Sequence, residues 1–299
     1  MFEKILIPLD GSEFAEAALP YGEQIGRIFR SEVVLLHVCA QECRNYEHMH
    51  KIYMDTLVKT FGYETAESLT QNAEFKVSTK IEEGNPLESI GTFVEKNCID
   101  LIIMTSAASS GHKAGTLGTV ADHISRTVKI PVLLVKARLA GQNEKEKPTI
   151  KRVIVTLDGS DLSKRALPVA EALAARLQIP MTLFQMARDI HPYYGEPVPF
   201  VDYREMAADE VKKVGAELSV MEEEFRKKGQ IVDWEVASGS NAAQEIIEMS
   251  KKIANCLLVM STHGRSGLGR WAMGSVADKV LHHVEVPLLL VPAGVESGH

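Results

Sequence analysis

Short runs rich in β-branched and other apolar residues recur along the chain, each followed by a longer stretch in which apolar residues return every three or four positions. In the first half the runs are KILIPL, EVVLLHV, EFKVSTK, DLIIM and PVLLV, and in the second RVIVTL, PMTLFQM, QIVDWEV, CLLVM and PLLLV. The runs predict strands, and the segments between them, such as Glu13 to Phe29 and Leu87 to Asn97, predict helices. LIIM, VLLV and VVLL are apolar without alternation, the pattern of strands covered on both faces. Strand and helix in turn predict an α/β fold, with a doubly wound, Rossmann-like parallel sheet of five strands in each half. In such sheets ligands sit beyond the carboxyl ends of the strands.

The two halves are copies. A shift of 148 lays KILIPLDGSEFAEAALP (Lys4 to Pro20) on RVIVTLDGSDLSKRALP (Arg152 to Pro168). A shift of 156 lays Leu101 to Val135 on Leu257 to Val291 without a gap, with Met104/Met260, Gly118/Gly274, Asp122/Asp278 and Pro131/Pro287 identical. The offsets differ by eight, so the second copy carries about eight extra residues between the blocks, and HPYYGEPVPF (His191 to Phe200) is the expected insertion. The polar stretch ARLAGQNEKEKPT (Ala137 to Thr149) reads as a linker.

The 299 residues, at roughly 150 per domain, agree with two domains. With 40 acidic against 33 basic residues the net charge is −7, which gathers no polyanion and argues against a nucleic-acid or acidic-membrane binder. No 18 apolar residues run together, the N-terminal stretch is no secretory signal, and four cysteines form no disulfide framework. The expected setting is the cytoplasm.

The candidate chemistry lies after the fourth strand of the second copy, in STHGRSGLGRWAMGS. Gly264, Gly267, Gly269 and Gly274 are expected to take positive φ and approach a ligand closely, and the N–H groups around Gly274 to Val276 sit at a helix N-terminus, a ready anion site. Ser275 is expected to cap that helix and donate to a phosphate oxygen. Arg265 and Arg270 add positive charge, as does His263 when protonated. No GK[ST] follows, so the loop is not a Walker A motif. On the same sheet edge the first strand ends in Thr156-Leu157-Asp158-Gly159-Ser160, where Asp158 suits a ribose hydroxyl or an adenine amine, and Asp158 or Ser160 suits a helix cap.

With these motifs the chain resembles a tandem universal stress protein, two copies of that family's domain at residues 1–137 and 150–293. The family's ATP signature is G-x2-G-x9-G-[ST]; Gly264, nine residues, Gly274 and Ser275 match its last positions, and Ser261 replaces its first glycine. The resemblance implies an adenine nucleotide alpha hydrolase-like fold and ATP, with Mg2+, held in the second copy. Its contacts there would be Thr156, Leu157 and Asp158, Met186, Met260 and Ser261, His263, Gly264 and Arg265, and Gly274, Ser275 and Val276. It implies a role in stress response as a sensor or regulator. It also implies that the halves pair through their last strands about a pseudo-two-fold axis, with a homodimer of whole chains as a further expectation.

The first copy departs from the signature, reading Thr105, Ala108, nine residues, Gly118 and Thr119, with Ser109 and Ala114 at the basic positions. Left-handed geometry at Ala108 would cost roughly 1–2 kcal/mol, about tenfold in affinity. The second copy is therefore expected to hold the better site, and the first to be weak or empty despite Pro8, Asp10 and Val38. No nucleophile, base and orienting acid stand together, so no catalytic residues are expected and hydrolysis would at most be slow. A scaffold module without nucleotide and a weak ATPase stay open as alternatives.

Cys39, Cys43, His48 and His50 have metal-ligand residue types at a spacing that matches no common finger, so surface residues and a metal site are both open. Cys98 and Cys256 are expected as small core fillers. Tyr193, Tyr194 and Phe200 in the insertion suit either an adenine shelter or local packing.

Overall fold

All ten expected strands form in the computed structural model, and among the described residues ten helices lie between them. Residues 1–39, 47–66, 76–106, 117–136, 149–188, 190, 202–264 and 273–294 are described; the linker, the insertion 191–200 and the loop 265–272 fall outside them. The described chain divides into two compact units, one built on Met1–Thr149 with Pro287–His299, the other on residues 150–286.

In the first unit the elements are β1 (Lys4–Leu9), α1 (Glu13–Glu16), α2 (Leu19–Phe29), β2 (Glu32–Cys39), α3 (Glu47–Ala66), β3 (Lys76–Glu83), α4 (Pro86–Lys96), β4 (Leu101–Thr105), α5 (Thr119–Thr127) and β5 (Val132–Val135). The second half repeats the order with β6 (Arg152–Leu157), α6 (Asp161–Lys164), α7 (Ala166–Leu177), β7 (Met181–Met186), α8 (Tyr203–Lys227), β8 (Val232–Ala237), α9 (Ala242–Lys252), β9 (Cys256–Ser261), α10 (Ser275–His283) and β10 (Leu288–Val291).

The first unit's sheet runs β3-β2-β1-β4-β5, all parallel, with β10 antiparallel on β5, where Leu288 faces Leu134 and Leu290 faces Val132. The second unit runs β9-β6-β7-β8, also parallel. Strand order reverses beside β1 and again beside β6. There the loops after adjacent strands part in opposite directions and leave a crevice at the carboxyl edge.

Burial follows the expected pattern. Every residue of β4, β5, β7, β9 and β10 is buried, because helices cover both faces. The outer strands β3 and β8 carry the charges of KVSTKIEE and VDWEVA and stay partly exposed, which suits an edge that must not recruit another strand.

The segment Glu13 to Phe29, expected as one helix, is two. α1 ends at Glu16 and α2 opens at Leu19 with Pro20 in its first turn. A proline there has no N–H to return to residue 16, so it can start a helix and cannot continue one. The second copy breaks at the same place before Pro168.

Candidate functional site

In the second unit the loops after β6 and β9 and the start of α10 bound a cavity of about 310 Å³. Thr156, Leu157 and Asp158 reach it from the end of β6, and Met186 from the end of β7. Met260, Ser261, His263 and Gly264 reach it from β9 and the turn that follows, and Gly274, Ser275 and Val276 from the start of α10. Arg265 and Arg270 lie outside the described residues, as do Gly267 and Gly269. The cavity also takes Ser163, Thr262, Ala242 and Ile246, which the sequence did not single out. Ala242 and Ile246 stand four apart on α9, so helical spacing was the available signal.

The turn after β6 divides its work between two residues. Asp158 Oδ1 accepts from the Ser160 backbone N–H at 2.9 Å and from Ser160 Oγ at 2.6 Å. Ser160, in extended conformation, caps α6 by accepting from Ser163 N at 3.2 Å. The other carboxylate oxygen, Oδ2, faces Gly264, where an added Cβ would stand 2.2 Å from it. No side chain fits there without displacing a carboxylate already tied to Ser160. Gly264 thus serves close approach.

The expectation of positive φ fails at both described glycines of this motif. Gly264 is not among the residues with φ in the left-handed region, and Gly274 has φ −62° and ψ 146°. Ser275 does not cap α10 either, because Gly274 occupies the cap position and no side chain bonds the first turn. The Gly274 N–H donates to Thr262 O at 2.9 Å, and its own carbonyl accepts from Asp278 N at 2.9 Å. The next N–H groups, on Ser275 and Val276, therefore open toward the cavity at the positive end of the helix dipole. His263 Nδ1 lies 3.0 Å from Thr262 Oγ1, and its buried Nε2 has no hydrogen-bond partner. Met186, Met260 and Ile246, nearly inaccessible to solvent, form an apolar wall. One cavity so offers anion-binding donors and an apolar surface together.

The first unit has a matching cavity of about 340 Å³, reached by Pro8, Asp10, Val38, Thr105 and Gly118. Asp10 Oδ1 accepts from Ser12 N at 3.0 Å and from Ser12 Oγ at 2.5 Å, as Asp158 does from Ser160. Gly118 opens α5 in the same extended conformation, with no side-chain cap, and its N–H donates to Ser106 O at 2.8 Å. Ala108, Ser109 and Ala114, on which the expected contrast between the halves rests, lie outside the described residues.

Of the four metal-type residues, Cys43 is outside the described residues and His48 is exposed on α3. Cys39 and His50 meet instead with His37, which the sequence reading passed over inside an apolar strand; one ligand atom from each lies within 4.8 Å of the others. His37 stacks on His50 with ring centroids 4.6 Å apart, and burial holds its pKa below the ordinary histidine value. Nearby, burial and the adjoining Glu16, which accepts from Tyr53 Oη at 3.0 Å, push the Tyr53 phenol upward. Cys256 is a core filler as expected, whereas Cys98 is exposed at a left-handed turn position. Tyr193, Tyr194 and Phe200 lie outside the described residues.

A doubly wound sheet whose strand-order reversal opens on an uncapped helix N-terminus is the architecture of Rossmann-like ligand-binding domains. The family model described as the Universal stress protein family matches residues 1–136 and 149–292, and the chain belongs to that family. Universal stress protein MJ0577 of Methanocaldococcus jannaschii is 30% identical over 157 residues, covering 46% of this chain and 97% of its own. Universal stress protein Rv2005c of Mycobacterium tuberculosis is 21% identical over 298 residues and covers 96% of both chains, so its length accommodates both copies. Among solved structures, a universal stress protein from Archaeoglobus fulgidus matches with TM-score 0.68 at 21% identity, covering 98% of this chain and all of its own, which bears on the fold. No described helix is long and apolar enough to cross a membrane.

Proposed function

We propose that this chain is an adenine-nucleotide-binding stress-response protein that takes ATP with Mg2+ in its second domain, residues 150–293, and acts in the cytoplasm as a sensor or regulator rather than as a fast enzyme. The observation that carries this reading is the meeting, in one cavity, of the uncapped α10 N-terminus with the apolar wall of Met186 and Met260. Phosphates would be held by the N–H groups of Ser275 and Val276, and the base would rest against the methionines. Asp158 would take a ribose hydroxyl or the hydrated Mg2+, which usually keeps several waters and uses few protein carboxylates. His263 Nε2, orphaned as it stands, is a further group for a ligand to satisfy.

Preference for the second domain rests on Gly264 against Ala108 and on Arg265 and Arg270 against Ser109 and Ala114. The first domain, residues 1–137, keeps a cavity of similar size and would bind more weakly. In the same reading the halves pair through their last strands, which the antiparallel run of β5 and β10 supports; a homodimer of whole chains would be a further step. Calorimetric titration of ligand-stripped protein with MgATP tests the proposal, and the absence of heat with ATP, ADP, AMP and cyclic AMP alike would sink it. Saturation at 100 times Kd should also stabilise the chain by about 2.7 kcal/mol in thermal melts. Phosphate release measured in the same samples separates a binder from a slow ATPase.

A further inference from the structure

We propose that His37, Cys39 and His50 form a zinc-class metal site in the first half, assembled only when Cys39 is reduced. The site lies on the other face of β2 from the first-half cavity, sharing with it only the end of β1, where the Leu9 carbonyl meets His37. Leu36 and Val38 line that cavity, so alternation along β2 turns His37 and Cys39 to the opposite face of the sheet, beside α3, which carries His50.

His37 supplies the independent sign of a missing ligand. It is 5% exposed, and its Nδ1–H donates to the Leu9 carbonyl at 2.9 Å. A carbonyl can only accept, so Nδ1 holds the proton and Nε2 is left with a lone pair, the tautomer in which imidazole binds a metal while a backbone oxygen orients the ring. That Nε2 is buried and has no hydrogen-bond partner. Buried ring nitrogens are ordinarily satisfied, and the His37 ring lies among a second imidazole, a sulfur and the Tyr53 ring.

The donor set selects the ion. Two imidazoles and a thiolate suit Zn2+, and three protein ligands leave its fourth position for water. Bond lengths of about 2.0–2.3 Å in a tetrahedron separate ligands by roughly 3.3–3.8 Å. The present upper limit of 4.8 Å therefore closes by a small movement, which half-buried His50 makes by turning its ring out of the stack on His37. The Cys39 sulfur is held in a disulfide, so the third ligand is delivered by reduction. A dithiol reductant is oxidised to its own disulfide while the protein disulfide becomes two thiols; the Cys39 S–H then loses its proton to solvent as the metal–sulfur bond forms.

The second copy supplies a built-in comparison. Leu9 faces His37 in the first half and Leu157 faces Gln185 in the second, so the two strands share a register. At the places of His37 and Cys39 the second copy has Gln185 and Ala187, which retain the burial and lack the imidazole and the thiol.

Co2+ titration of the full chain, stripped of metal and reduced with a dithiol, tests the proposal. One equivalent should bind with the intense visible bands of tetrahedral cobalt and a thiolate-to-cobalt charge-transfer band, and the oxidised chain should show neither. His50→Ala should weaken binding by at least about tenfold. Cys39→Ser should remove the charge-transfer band, and Cys98→Ser should leave it intact. His37→Gln, which installs the residue of the second copy, should abolish tight binding with the melting temperature retained. A reduced wild type without the charge-transfer band overturns the proposal, as does a band that survives Cys39→Ser or an affinity unchanged by His50→Ala.

Discussion

Leu9 pairs with His37 across β1 and β2 in the same way that Leu157 pairs with Gln185 across β6 and β7, and Gly118 opens α5 in the same extended conformation in which Gly274 opens α10. The first half has nevertheless gathered two imidazoles and a sulfur behind its sheet, and the second has kept glycine where Asp158 presses on the loop. The difference shows what duplication holds fast and what it releases. Parallel pairing needs every inner backbone donor and acceptor matched, so strand register survives divergence. Loop residues and the second face of a strand carry no such obligation.

The comparison can be broken most forcefully at the two helix openings. Gly274→Val places methyl groups where the first-turn N–H groups would meet the proposed anion, and a Cβ there stands 3.4 Å from Thr262 O. ATP affinity should fall by about 100-fold, or ~2.7 kcal/mol, whereas Gly118→Val should change total binding by less than about twofold. Calorimetry on the two variants decides, and a larger loss from Gly118→Val would reverse the assignment of the halves.

A smaller effect is expected at Gly264. Alanine there must displace the Asp158 carboxylate, which is tied to Ser160 through its other oxygen, at about 1–3 kcal/mol in urea unfolding. Most of that cost should vanish when Asp158→Ala is already present, because the clash and the tie to Ser160 go together. Additive costs in the double mutant would show that the contact is not the cause.

Ser12 and Ser160 provide the control in which the halves should agree. Each hydroxyl accepts from a backbone N–H at 3.2 Å, from Ala15 and Ser163 respectively. Alanine at either position should cost about 1 kcal/mol, and clearly unequal losses would mean that the turns differ more than their hydrogen bonds do.

The least effect on stability, and a sharp one on reactivity, concerns the free cysteines. Burial pushes the Cys256 thiol up to about 11, while Cys98 is exposed. An alkylating reagent at pH 8 should label Cys98 in the native chain and reach Cys256 only on unfolding, since the thiolate is the reacting species. Labelling of Cys256 at the native rate of Cys98, read by peptide mass spectrometry, would contradict its burial.

The two repeats, their strands and the glycine-marked opening of α10 were legible in the sequence, because strand periodicity, Pro20 or Pro168 in a first turn, and a Gly-Ser pair at a helix start act over a few residues. The carboxyl edge of the sheet was also legible as the place for a ligand, since a doubly wound parallel sheet opens its loops there. The sharing of roles between Asp158 and Ser160 was legible in the turn; the close approach of Gly264 to the Asp158 carboxylate was not, because it arises only when two distant turns are brought to the same sheet edge. Strand alternation already puts His37 and Cys39 on one face of β2, but nothing in their spacing brought His50 to them: a strand face and a helix face had to pack before the three donors could become neighbours. Local pattern determined the elements and the ends at which a ligand could bind, and only packing decided which side chains would face one another there.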